Sequence, residues 1–61
     1  MPSHNLFTAG DLVLFPSYPA FGVGLILRMK DYNGIVFADT LWPDGLMIQI
    51  NVQMLQKSKP N

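Results

Sequence analysis

Asn33-Gly34-Ile35-Val36-Phe37-Ala38-Asp39-Thr40-Leu41-Trp42-Pro43-Asp44-Gly45 is the stretch that decides the fold. Asn-Gly is the preferred pair for a two-residue type I′ hairpin turn, because both central residues take positive φ. Trp42-Pro43-Asp44-Gly45 is a second turn signal, with Pro and Gly each where turn geometry favours them. The residues between them, Ile35 to Trp42, are rich in β-branched and aromatic side chains and read as a strand bounded by two turns.

Outward from that strand the pattern repeats. Gly22 to Met29 reads as the strand before it, and its glycines suit a tight bend or a close backbone approach. Leu46 to Ile50 reads as the strand after it. Leu12-Val13-Leu14-Phe15 opens the series behind a Gly10-Asp11 turn, and Met54 to Gln56 closes it as a short fifth strand. Asn51-Val52-Gln53 is too short for an ordinary helix and suits one 3₁₀ turn. Pro16 and Pro19 break any ladder, so the segment they bracket is a loop or an edge. Turn signals recur about every 8–12 residues, which is the all-β pattern. Five short strands cannot form two full sheets. A small, strongly bent barrel is the economical solution, since closing a sheet on itself removes exposed edges.

Composition bounds the function. A chain of 61 residues makes one domain, and a domain of this size buries only roughly 60% of its unfolded surface. Such domains are often held by disulfides, metals or partner subunits. Cys is absent, His4 is the one histidine, and Asp11, Asp31, Asp39 and Asp44 lie without ligand spacing. No cofactor and no metal are therefore expected, and burial against a partner is the remaining support. Charged residues are 13% of the chain, about half the usual share of roughly 25%. That is little charge for a surface left entirely to water. A net charge of +0 with four basic residues argues against nucleic acid as the partner. No apolar run approaches the ~18 residues of a membrane helix, and Met1 to Asn5 has no signal-peptide pattern. The expected compartment is the cytoplasm, or a particle assembled there. Residues 1–6 are expected as a flexible arm, 7–56 as the domain and 57–61 as a tail.

Alternation of side chains along a strand puts Val36, Ala38, Thr40 and Trp42 on one face of the central strand, and Ile35, Phe37, Asp39 and Leu41 on the other. Both faces carry large apolar groups, as do both faces of Gly22 to Met29. A one-layer barrel has one inside, so one apolar set points outward unless a bulge shifts the parity. With Val36, Ala38 and Trp42 inside, the outer patch comprises Ile35, Phe37 and Leu41 beside Leu25 or Leu27. Such a patch exceeds what a monomer ordinarily exposes. The plainer reading is that strong curvature buries both faces in part. Tyr18 and Phe21, on the proline-stiffened loop, are the other candidate contacts; the alternative for Phe21 is a plug in a barrel mouth. Trp42 suits a core cap better than a ligand platform.

Gly10-Asp11-Leu12-Val13-Leu14-Phe15-Pro16, then Phe21-Gly22-Val23-Gly24-Leu25-Ile26, then Trp42-Pro43-Asp44-Gly45 and Met54-Leu55, resemble the small SH3-like barrel proteins of tailed phages, the cyanophage type among them. The resemblance spans most of residues 7–56. It implies an all-β, SH3-like barrel of about five short antiparallel strands, with a 3₁₀ turn before the last. A weaker resemblance links Phe7, Gly10, Asp11, Val13, Phe15, Pro16, Gly22, Val23 and Gly24 to the CarD-like RNA-polymerase-interaction domain, which docks by strand addition. The chain departs from that pattern by the extra loop Ser17 to Phe21, a shorter middle section and the lack of a helical DNA-binding domain.

Catalytic constellations are missing. His4 lies in the arm and cannot be held against Ser3 or Ser17 as a triad requires. Asp31 and Asp39 flank a hairpin, yet the chain leaves no room for a substrate cleft between paired carboxylates. Gly22-Val23-Gly24 lacks the third glycine and following helix of a phosphate loop. The expectation is a non-enzymatic protein–protein interaction module, a virion structural protein at a capsid, neck or tail interface. It would contact other protein subunits, as a homo-oligomer or in a larger assembly, and no membrane. A regulatory adaptor for a host protein such as RNA polymerase is the alternative, and a nucleic-acid-binding barrel the third reading.

Overall fold

The computed structural model describes residues 7–58. The expected flexible arm, residues 1–6, and the last three residues of the tail lie outside them. Five antiparallel strands follow one another: β1 (Leu12–Leu14), β2 (Val23–Tyr32), β3 (Ile35–Leu41), β4 (Met47–Asn51) and β5 (Gln56–Lys57). They form one sheet in the order β4-β3-β2-β1-β5. A 3₁₀ turn, Val52–Met54, precedes β5 as expected, one residue later than the sequence suggested. Asn51 starts it, its side-chain oxygen accepting the Gln53 N–H at 2.8 Å. This is the small SH3-like barrel: a meander of three strands, with the first and last strands paired along its far side.

The two turns take the forms their residues dictate. Asn33 and Gly34 both have positive φ, 56° and 87°, and Asp31 accepts the Gly34 N–H at 2.8 Å. At the other end of β3, Gly45 N–H donates to Trp42 O at 2.8 Å, and Gly45 sits at φ 90°. Leu41 is thereby set opposite Met47. A second 3₁₀ turn, Pro19–Phe21, lies inside the loop between β1 and β2. Lys57, expected in the tail, pairs with Val13 in the sheet, and Ser58 N–H donates to Leu12 O.

β2 carries the irregularity that organises the barrel. Ile26 faces Thr40 and Arg28 faces Asp39, so Leu27 is one residue too many. This is a bulge, which bends its strand and increases the local twist. Gly24 and Ile26 point inward before it and Met29 packs on the core after it, so the facing side switches parity at Leu27. A ten-residue strand can in this way serve both halves of a barrel, pairing with β1 near its start and with β3 to its end.

The core is Val13, Phe15, Ile26, Ala38, Trp42, Ile50 and Leu55. Val36, Ala38, Thr40 and Trp42 do share the inner face, with the last three buried and Val36 partly so. Thr40 is the one buried polar residue among the described residues. Its Oγ1 donates to Ile48 O at 2.7 Å and accepts the Trp42 indole N–H at 2.8 Å. Trp42 lies so close to Gly24 that a Cβ there would stand 2.7 Å from the ring. Trp42 is therefore a core residue, not a surface platform.

Candidate interaction face

Directly opposed residues of neighbouring strands share a face, so the register maps the outside of the sheet. One row runs Leu12, Leu25, Leu41, Met47 across β1, β2, β3 and β4. All four are aliphatic, and Leu12 and Met47 are 48% and 64% exposed. Val23 and Leu14, opposed on β2 and β1, extend the row on one side. On the other side the bulge lifts Leu27 out, 40% exposed, beside a depression of about 200 Å³ lined by Leu27, Arg28, Asp39, Met47, Ile48 and Gln49. The band of aliphatic side chains thus crosses four strands, exposed at Leu12, Val23, Leu27 and Met47 and half-buried at Leu14, Leu25 and Leu41.

The next row is charged. Asp39 accepts Arg28 Nε at 3.1 Å and Lys30 Nζ at 3.4 Å, forming a belt across β2 and β3. Beyond the belt Tyr32 packs edge-on against Phe37, ring centroids 5.6 Å apart, with Ile35 opposite Tyr32. The outer surface is therefore two apolar zones with ion pairs between them. Leu25, Leu27 and Leu41 fall in the larger zone, and Ile35 and Phe37 in the smaller. The single patch expected from Ile35, Phe37 and Leu41 is divided, because Asp39 stands between Phe37 and Leu41 on the same face and draws two cations over the sheet.

The proline-stiffened loop is spent largely on itself. Phe21 packs 5.4 Å from Trp42 and 5.6 Å from Phe15, so its ring closes one mouth of the barrel. Tyr18 stacks on Phe21 at 5.4 Å and meets Phe15 edge-on at 5.1 Å, leaving its own outer side exposed. Of the two aromatic candidates, only Tyr18 offers an exposed ring.

Sequence reasoning missed Leu12 and Met47, the two most exposed members of the row. The signal was present at Met47. The turn at Trp42 to Gly45 sets Leu41 opposite it, and an outward Leu41 implies an outward Met47. Leu12 could not be placed in the same way, because its register against Leu25 follows a long loop and not a tight turn.

An open cleft of about 530 Å³ lies under the far end of the β2–β3 hairpin, lined by Asp31, Val36, Asn51, Val52 and Gln53 among others. Asp31 pairs with Val36 on the inner side of the hairpin, whereas Asp39 lies on the outer side. The two carboxylates are on opposite faces and cannot act on one substrate atom. Among the described residues no three His, Cys, Asp or Glu side chains are grouped to hold a metal ion, and no helix is long and apolar enough to cross a membrane. No family model, no curated protein and no solved structure matches the chain.

Proposed function

We propose that the protein is a non-enzymatic interaction module whose outer sheet face is buried against other protein subunits. The observation that carries this reading is the row Leu12–Leu25–Leu41–Met47, exposed at Leu12 and Met47 and half-buried at Leu25 and Leu41, on a chain that has only 13% charged residues. Contact across the strands rewards the row only in part in an isolated domain, because Leu12 and Met47 stay 48% and 64% exposed. A partner that covers them gains roughly 25 cal/mol for each Å² of apolar area removed from water. The resemblance to small SH3-like barrels of tailed phages favours a virion as the assembly, with the protein at a capsid, neck or tail interface.

A second reading draws on a different feature. Strand β4 stands at one end of the sheet order, hydrogen-bonded only to β3. An open edge can take an added strand from a partner, as the resemblance to the RNA-polymerase-interaction domain implies. Mass spectrometry of particles purified from the producing culture separates the two readings. Peptides of this chain at fixed stoichiometry in the particle support the structural role. Their absence there, with recovery of the chain on host RNA polymerase, supports the adaptor. Retention by nucleic acid that weakens steeply with salt would favour a nucleic-acid-binding barrel over both.

A further inference from the structure

We infer that the outer face is self-complementary, and that one subunit covering it is a second copy of this chain, docked outer face to outer face about a two-fold axis. This rests on the interaction reading above and names its partner.

A two-fold contact uses one patch twice, so that patch must carry both a projection and a recess to receive it. The bulge supplies both side by side. Leu27 stands out of β2, and the depression of about 200 Å³ lies between it and Met47 of β4. Leu27 of one copy can enter the recess of the other while the reciprocal contact forms.

Charge permits the same pairing. The chain carries a net charge of +0, so two copies approach without global repulsion. The belt beside the recess holds both signs, Arg28 and Lys30 with Asp39. An antiparallel approach brings Arg28 of one copy to Asp39 of the other. A strongly acidic or strongly basic partner finds no matching block of opposite charge on this face.

Size is compatible as well. A standard interface takes about 800 Å² from each partner, roughly a fifth of the 4406 Å² that the chain exposes. A molecule of 33 × 26 × 20 Å can commit that much on one broad face. Small domains without disulfide or metal gain their missing core in this way.

Sedimentation equilibrium of the full 61-residue chain from micromolar to millimolar concentration tests the inference. The expected result is a monomer–dimer equilibrium that stops at two copies. Leu27→Asp is expected to raise the dissociation constant at least about 30-fold, the scale of a lost hot spot. Gln53→Lys, on the 3₁₀ turn away from this face, leaves it unchanged. Should Leu27→Asp fail to fold, Met47→Lys across the recess reads the same contact. A wild-type chain that stays monomeric at millimolar concentration overturns the inference. So does association that continues past the dimer, or dimerisation in both outer-face variants that is as tight as in the wild type. A monomeric chain that is still recovered in purified particles would remove the second copy and leave the interaction reading standing.

Discussion

The indole of Trp42 and the hydroxyl of Thr40 form one hydrogen-bonded unit at the centre of the barrel. Trp42 Nε1 donates to Thr40 Oγ1 at 2.8 Å, and the hydroxyl donates onward to the Ile48 carbonyl at 2.7 Å. The unit ties the end of β3 to β4 in a core where every buried side-chain polar atom among the described residues is satisfied. It also explains why a tryptophan next to a surface turn is 2% exposed: its single donor has a partner inside.

Thr40→Val keeps the shape and removes the relay. The indole N–H is then buried without an acceptor, which costs about 1–3 kcal/mol. In a domain of this size each kcal/mol lowers the melting temperature by roughly 4–8 °C. Thermal unfolding followed by Trp42 fluorescence reads the loss. A melting temperature equal to that of the wild type would mean that the relay does not stabilise the fold.

Gly24→Ala tests the opposite wall of the same pocket. The added methyl would stand 2.7–2.8 Å from three atoms of the Trp42 ring, and neither the strand nor the ring can yield freely. Overpacking of this kind costs about 1–3 kcal/mol. Urea denaturation is expected to show a lower midpoint with an unchanged slope.

How far the sequence could be read depends on where a side chain's conformational preference acts locally. Asn33-Gly34 needs positive φ twice, and no tertiary contact is required to state the turn; the register of β2 against β3 near Tyr32 and Ile35 follows from it. The two faces of β3 were legible from the alternation of its side chains, with Val36, Ala38 and Trp42 read as the inner set. The place of the bulge was not. Leu25, Ile26 and Leu27 are consecutive aliphatics, and nothing in them marks which one the opposite strand skips. Sequence therefore showed that both faces of β2 are apolar and that a bulge could resolve it, but not that Leu27 is the residue lifted outward. The division of the outer face by Asp39 was visible in the alternation. Its consequence was not, because Arg28 and Lys30 reach it only once the bulge has set them on the same side.

Phe21 and Tyr18 are expected to respond differently to truncation. Phe21 is wedged between Phe15 and Trp42, and Phe21→Ala is expected to cost about 2 kcal/mol or more, toward the lower end for an aromatic that is only partly buried. Tyr18 is 56% exposed and keeps only ring contacts, so Tyr18→Ala costs about 1 kcal/mol. Paired denaturation curves check the order. The reverse order would mean that Phe21 does not close the barrel mouth.

Asn33→Ala isolates the hairpin turn. Alanine at φ 56° carries a left-handed penalty of about 1–2 kcal/mol, whereas Asn33→Gly tolerates the same angle and keeps the turn type. Loss of stability in the first variant with little change in the second is the expected pair of melting curves. Equal losses would point to a role for the Asn33 side chain beyond its conformation.

The absence of native cysteine allows the central claim, that the outer sheet face is covered in use, to be measured directly. Single-cysteine variants at Met47, 64% exposed in the chain alone, and at Gln53, exposed on the 3₁₀ turn, are labelled with a permeant maleimide inside the cells that make the protein. The predicted result is labelling at Met47→Cys slower than at Gln53→Cys by about tenfold or more, equivalent to ~1.4 kcal/mol of protection, with the difference abolished in denaturant. Equal rates at the two positions inside the cell would contradict it.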